Sequence, residues 1–337
     1  MRTAKNLFPT LCDEGFLDDC VTLCARGKRR RPEVARFLFH REREVAWTAR
    51  ALAEGSWRPQ GFAMQFVHDP KPRAIARAPF DDRVVHRALV RLIERAFARS
   101  YSPSSYACRP GLGTHRAVLA LLAAARRWRH FMHLDIRSYF PSLDPALVLQ
   151  LLARRIRDAR FLAVVERVLD SGRGLYDAPE VRRFAHIDPD WPPPGLGLPI
   201  GAATSQCLAS QIVLLELDHA IKRTLKVPGY VRYVDDLLLL ADSAACLEES
   251  RDWIADWLWR ERRLRLKHPD ARPRPTAQAL HALGYRITRQ GVAPLPRSRR
   301  SLASALAREV WRPRYGGEPL DVEASVLSRL GDLAFGC

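Results

Sequence analysis

The chain has 337 residues, 47% hydrophobic and 27% charged, enough to bury a sizeable core spread over two or three subdomains. It contains no apolar run long enough to span a bilayer, and Met1 to Phe16 lacks a signal-peptide core, so a cytoplasmic protein with no membrane partner is expected. The net charge is +18, and six lysines among 55 basic residues leave the excess almost entirely to arginine, which points to a polyanionic partner bound in a salt-sensitive way.

Near the N-terminus, Arg26 to Arg31 form a basic cluster, with Arg29, Arg30 and Arg31 as candidate RNA contacts or, equally, a solvated helix start. Pro32 suits an early helical position. From there to Glu54, Val34, Phe37, Leu38, Val45, Ala49 and Leu52 recur at helical spacing. Cys20 and Cys24 with His40 are a weak zinc candidate. The seven cysteines form no CxxC pair, and their scatter argues for reduced, mostly buried thiols. Phe62 to Val67 reads as a strand. A turn through Asp69-Pro70-Lys71-Pro72 leads to a second strand, and Lys71 and Arg73, two apart, face one side of it. Residues 81–93 form an amphipathic helix with an acidic start.

Phe131 to Leu134 is a short strand ending at Asp135, after which the chain turns through Pro141-Ser142 into a helix from Ala146 to Leu152. Leu151 to Leu169 also reads as helical, and Gly172 to Pro194 as loop. A glycine-rich turn, Gly195 to Gln206, enters a long helix carrying Leu208, Ile212, Leu215 and Leu217. Val231 to Ala241 is a hairpin with Asp235-Asp236 at its turn. From Gly291 the arginine-rich C-terminal stretch reads as two short helices split at Gly316-Gly317.

An Asp-Asp pair is often only an exposed turn. Two adjacent carboxylates repel, however, and a third acid, Asp135, lies at a strand end one hundred residues upstream. Acids so placed can bridge two divalent ions about 3.5–4 Å apart, which suits in-line phosphoryl displacement. Oxygen-only ligands favour Mg²⁺ over zinc.

Taken in order, these blocks resemble a reverse transcriptase between about residues 69 and 290. Phe131 to Asp144 resembles the block with the first catalytic Asp. Tyr233-Val234-Asp235-Asp236 is similar to the YxDD signature. Gly197 to Gln206 resembles the template- and nucleotide-contacting block, and Leu283 to Ile287 the primer-grip hairpin. Asp82 to Val85 and Ser105 to Gly111 resemble finger blocks of bacterial retroelement enzymes. Ile200-Gly201-Ala202-Ala203-Thr204-Ser205-Gln206 resembles the pattern of diversity-generating retroelements, as does the run from Tyr106 to His115. The short segment after the primer-grip block fits that reading, leaving room for a short thumb only.

The resemblance implies an α+β right-hand polymerase. Its parts would be an N-terminal extension and fingers over 1–130, palm over 131–150, fingers or connection over 151–195, palm again over 196–290 and a short helical thumb over 291–337. It implies catalysis by Asp135, Asp235 and Asp236 with two Mg²⁺ ions, the Ile136 carbonyl as a further ligand, and Mn²⁺ able to substitute. Lys71, Arg73, Gly201, Gln206 and Lys267 would meet the nucleotide, Lys267 as a proton donor or simply a surface lysine. Phe140 would be a steric gate or a core residue. Arg109, Ile200, Ser205, Leu283, Gly284 and Tyr285 would meet template and primer. The implied partners are a structured template RNA, primer and cDNA, dNTPs and a small basic oligomeric accessory protein, in a bacterial or phage-encoded system. The alternatives are another free-standing bacterial reverse transcriptase, group II-like or serving antiphage defence, and a catalytically inactive RNA-binding relative.

Overall fold

The computed structural model describes residues 4–68 and 72–296. The chain divides into two compact units. The first comprises residues 1–102, 137–216 and 259–264; the second comprises 103–136, 217–258 and 265–337.

In chain order the first unit opens with helices α1 (Leu7–Leu11), α2 (Glu14–Ala25), α3 (Pro32–Phe39) and α4 (Arg41–Glu54). The antiparallel pair β1 (Ala63–Val67) and β2 (Arg73–Arg77) follows, then α5 (Phe80–Phe97). Asp13 starts α2 by accepting the Phe16 N–H at 2.7 Å. α5 is the pivot of this unit: its buried Val84, Val85, Ala88, Leu89, Leu92 and Ile93 receive α1, α2 and α3. The helical run from Pro32 to Glu54 is broken at His40 (φ −110°, ψ 24°). Arg41, the first residue of α4, is bound to Asp18 and Thr22 of α2, which sets a new axis for α4.

The second unit contributes α6 (Thr114–Arg127) and β3 (His130–Leu134). The chain then returns to the first unit through α7 (Tyr139–Ser142), α8 (Pro145–Ala153), α9 (Ala159–Asp170), α10 (Pro179–Phe184) and α11 (Ala203–Cys207). The single helix expected over Leu151 to Leu169 is two. Asp158 interrupts it, capping α9 at the Phe161 N–H while also accepting from the Leu7 and Phe8 N–H groups. α10 lies inside the stretch expected to be loop. The long helix expected after Gln206 passes through a π-helical segment, Leu208–Ile212, before α12 (Leu215–Arg223).

β4 (Gly229–Tyr233), β5 (Asp236–Ala241), α13 (Ala244–Arg262) and β6 (Arg274–Pro275) follow, then β7 (Leu280–Ala282), β8 (Tyr285–Ile287) and β9 (Val292–Pro294). The main sheet of the second unit has the order β4-β5-β3-β6, all antiparallel. A second antiparallel sheet runs β7-β8-β9. Ala117, Val118, Leu121 and Ala125 of α6 pack with Phe131, Val231, Leu238, Leu240, Tyr285 and Ile287. The α+β class expected from the sequence is therefore what the chain forms. The C-terminal helices expected around Gly316-Gly317 lie outside the described residues. No helix among the described residues is long and apolar enough to cross a membrane.

Candidate active site

The register of the main sheet places the acids. Leu134 of β3 pairs with Leu237 of β5, so Asp135 leaves β3 just beyond that pair and Asp236 enters β5 just before it. The two acids thus sit across from each other at one end of the sheet. Residues facing each other across a ladder share a face, and His133 lies two back from Asp135 on that same face. Its Nε2 lies 2.6 Å from Asp236 Oδ1. On the other side of Asp135, Ile136 bridges to Leu266, and the Lys267 N–H donates to the Asp135 carbonyl at 2.8 Å. The Lys267 ammonium then reaches Asp135 Oδ2 at 3.2 Å. Asp236 with His133, and Asp135 with Lys267, form two half-exposed pairs at this end of the sheet.

The turn carrying the remaining acid is strained. Tyr233 pairs with Asp236, which leaves Val234 and Asp235 as a two-residue hairpin turn. Val234 takes φ 58°. A β-branched residue in the left-handed region costs about 1–3 kcal/mol and persists only where its surroundings enforce it. Here the enforcement is a buried ion pair. Arg232 and Asp218 are both fully buried, joined by Nε to Oδ1 and Nη2 to Oδ2, each at 2.7 Å. Arg232 Nη1 donates to the Val234 carbonyl at 3.0 Å, and Nη2 donates to Ser105 Oγ at 2.9 Å. Tyr230 adds its hydroxyl to Asp218 at 2.7 Å, and burial followed by the Asp218 charge pushes that phenol well above its ordinary range. The segment Ser104–Tyr106 is stitched to Arg232 through both of that residue's main-chain groups. Arg109, further along the same loop, returns a donor to the Ser105 carbonyl at 3.1 Å.

The hairpin β7–β8 turns through Leu283 (φ 54°) and Gly284 (φ 90°), both positive as a type I′ turn requires. Leu283 and Gly284 are half-buried and stand at its tip. Tyr285 is buried in the core against α6, with its ring 6.3 Å from that of His115, so it braces the hairpin rather than facing outward.

The first unit holds the other candidates. The Ala76 N–H of β2 donates to the Ile200 carbonyl at 2.6 Å, and the Ile200 N–H donates to the Tyr176 hydroxyl at 2.9 Å. Gly201 has φ 108°, and a Cβ there would meet Ile75 at 2.7 Å and the Ala76 carbonyl at 2.8 Å. Only glycine lets the loop lie this close to β2. The Leu198 N–H bonds the Phe140 carbonyl at 2.9 Å, so the loop also ties to the turn carrying Phe140. The Phe140 side chain is half-exposed, and Arg73 of β2 is exposed. Ile200 packs against the small apolar cluster of Ala74, Tyr176, Val181 and Ile187. Gln206 is exposed. Ser205 is buried within α11, which packs on α5, so its place is in the packing. Arg29, Arg30 and Arg31 are exposed, and Lys71 lies outside the described residues.

The zinc candidate is replaced by thiol packing: Cys24 Sγ bonds the Arg83 carbonyl at 3.4 Å, and burial raises the pKa of both Cys20 and Cys24. The thiols are less uniformly buried than expected, since Cys108 is exposed. Among the described residues no three His, Cys, Asp or Glu side chains gather closely enough to hold a metal ion. What is present is an oxygen donor set on facing strand ends that already draws a lysine ammonium.

His133, Asp218 and Arg232 were not singled out from the sequence. A charged residue at position 232, inside an apolar strand run, was the available signal: an arginine there must find a buried partner.

Residues 68–269 match the family described as reverse transcriptase (RNA-dependent DNA polymerase). Among curated proteins, Protein YkfC of Escherichia coli (strain K12) is 24% identical over 299 residues, covering 74% of each chain. The mitochondrial nuclear intron maturase 1 of Arabidopsis thaliana is 28% identical over 90 residues, which are 27% of this chain and 13% of that protein. Among solved structures, apo telomerase from Candida tropicalis aligns with a TM-score of 0.48 at 9% identity, over 70% of this chain and 49% of that one. The chain thus spans three quarters of one curated relative and about half of the telomerase chain.

Proposed function

This chain belongs to the reverse transcriptase (RNA-dependent DNA polymerase) family, and on that premise we propose that it is the polymerase of a diversity-generating retroelement, copying a structured template RNA into adenine-mutagenised cDNA. The observation that carries the polymerase reading is that Asp135 and Asp236 stand just beyond the last β3–β5 pair, Leu134 with Leu237, beside the Val234-Asp235 turn. The finer reading rests on the run from Ile200 to Gln206, with Ile at the place where the family resemblance implies Gln in most retroelement enzymes.

Reverse transcriptases use divalent metal ions, and Asp135, Asp235 and Asp236 with the Ile136 carbonyl offer hard oxygen ligands suited to two Mg²⁺ ions or to Mn²⁺. Ions bound there would make the primer 3′-hydroxyl a better nucleophile and stabilise the leaving oxygen. The chain's own groups do the rest. Lys267, whose ammonium bonds Asp135, is the proposed donor of a proton to departing pyrophosphate. Arg232 holds the Val234 carbonyl and so fixes where the Asp235 carboxylate stands. Lys71 and Arg73 neutralise the triphosphate, Phe140 excludes a ribose 2′-hydroxyl, and Arg109, Leu283 and Gly284 contact template and primer. The division into fingers, palm and thumb given from the sequence is part of this proposal. A small basic oligomeric accessory protein is the expected partner, in a cytoplasmic bacterial or phage setting.

The test is primer extension with dNTPs and Mg²⁺ on an RNA template, followed by sequencing of the cDNA. Extension that disappears in Asp235→Ala, with errors concentrated opposite adenine, is the expected result. Errors spread evenly over the four bases would remove the diversification reading and leave the polymerase. The match to an intron maturase favours a second reading, a free-standing group II-like enzyme, which predicts that even spread.

A further inference from the structure

Helices α3 and α4 bury Val34, Phe37, Val45, Ala49 and Leu52. Their outer faces carry something other than the usual mixture of charges. Arg36 and Phe39 lie three apart on α3. Arg43, Trp47 and Arg50 lie four and three apart on α4. At 100° per residue each set falls on one side of its helix. All five are exposed, Phe39 at 83% and Trp47 at 60%. The two sets meet across His40: Arg36 and Arg43 line one cleft of about 310 Å³ with Phe37, His40, Glu44 and Asp81. Arg43 pairs with Glu44, while Arg36 and Arg50 have no acidic partner among the described residues. The basic cluster Arg26–Arg31 leads into the same helix. Lys28 there has its pKa lowered first by burial and then by the nearby Arg83 and Arg31.

Two large exposed aromatic rings alternate with three arginines along these faces. Charge alone would suit any polyanion. The rings add a requirement for flat, unpaired partners, because stacking needs bases free of a duplex. We propose that the Arg36–Phe39–Arg43–Trp47–Arg50 stripe is a binding track for an unpaired RNA strand, with bases stacked on Phe39 and Trp47 and phosphates held by the arginines. That the strand is RNA rests on the template reading above; the stacking and phosphate chemistry rests on the stripe itself.

The experiment uses the full chain and fluorescence anisotropy with a labelled oligouridylate of about twelve nucleotides, within the usual span of such tracks, and a blunt RNA duplex of equal length. Phe39→Ala/Trp47→Ala should weaken oligouridylate binding by about tenfold or more and duplex binding by less than about twofold, with an unchanged salt slope. Trp47→Phe alone should retain most of the affinity. Arg36→Gln/Arg43→Gln/Arg50→Gln should flatten the log–log salt slope by about 2, near 0.7 for each phosphate released. Circular dichroism melts establish that each variant is folded. An aromatic double variant that binds both RNAs like the parent overturns the proposal, as does equal loss on both, which would mean a plain phosphate patch. Unchanged RNA binding with a shifted sedimentation coefficient would make the face a protein interface and overturn it too. Primer extension on a short hybrid is read separately: its absence in the parent removes the polymerase reading without touching the binding result.

Discussion

The two units bury polar groups in opposite ways. In the second, Asp218 is fully buried against an equally buried guanidinium, and each of its oxygens is claimed at 2.7 Å. In the first, Asp82 is 1% exposed and among the described residues accepts from a single donor, the Gln60 N–H, at 2.7 Å. His86, one turn further along α5, is also buried, and among the described residues neither ring nitrogen has a hydrogen-bond partner. The first arrangement spends a charge pair to pin a strained turn beside the acids. The second leaves titratable groups alone in the core. A closed pair gives geometry; lone groups give pH dependence.

The comparison breaks most readily at the pair. Asp218→Ala leaves Arg232 buried without its counter-charge, a change that costs about 3–5 kcal/mol. Its second effect is local. Without a fixed Arg232 the Val234 carbonyl loses its donor, and the left-handed turn can relax. Urea melts should show the stability loss. Under conditions where the variant remains folded, primer extension should fall through kcat rather than KM for dNTP. A variant that loses stability but keeps its kcat would show that the pair supports the fold and not the turn.

The lone groups predict a cancellation. Burial, with Asp81 adding, raises the Asp82 pKa to about 6, against an ordinary 3.8. Its contribution is present below pH 3.8 and is lost as pH rises to 6. Burial lowers the His86 pKa to about 4, against an ordinary 6.5. Its contribution is present above pH 6.5 and is lost as pH falls to 4. The two slopes have opposite sign over nearly the same window, so the parent should be nearly flat there. Asp82→Asn removes one slope, and its stability should fall by up to about 3 kcal/mol as pH drops from 6.5 to 4. His86→Leu should show the reverse, losing stability as pH rises from 4 to 6. Denaturant midpoints across that range measure both. A parent with a steep slope of its own would mean that one of these groups is solvated.

The same contrast explains what could be read from the sequence. The acids stood out because Asp235 and Asp236 interrupt an apolar hairpin and Asp135 ends an apolar strand, and a break in a continuous apolar run is visible locally. Local pattern could not show that His133 would share a face with Asp236, since that depends on the register between strands a hundred residues apart. Asp218 was hidden for the same reason: it reads as an ordinary charge until the fold buries it against Arg232. Helix breaks at His40 and Asp158 also escaped, because neither has Gly or Pro. They are set by tertiary bonds, from Arg41 to Asp18 in one case and from Asp158 to the Leu7 and Phe8 N–H groups in the other.

The smallest expected effect concerns the first unit's own turn, which is fixed by space rather than by charge. Gly201→Ala sets a methyl against Ile75 and the Ala76 carbonyl and forces a positive φ on a residue with a Cβ, so it should cost about 1–3 kcal/mol. Ile200→Gln differs. The Ile200 backbone groups bond Ala76 and Tyr176 whatever the side chain, and the half-buried side chain packs on Ala74 and Tyr176. Gln should therefore be tolerated with less loss of stability than Gly201→Ala, while adding an amide to the loop proposed to contact the nucleotide. If the missing amide loosens base selection, Ile200→Gln lowers the cDNA error rate at template adenines and leaves errors at the other bases unchanged. An unchanged adenine error rate, in a variant that melts like its parent, would separate this loop from fidelity and leave it a purely steric joint.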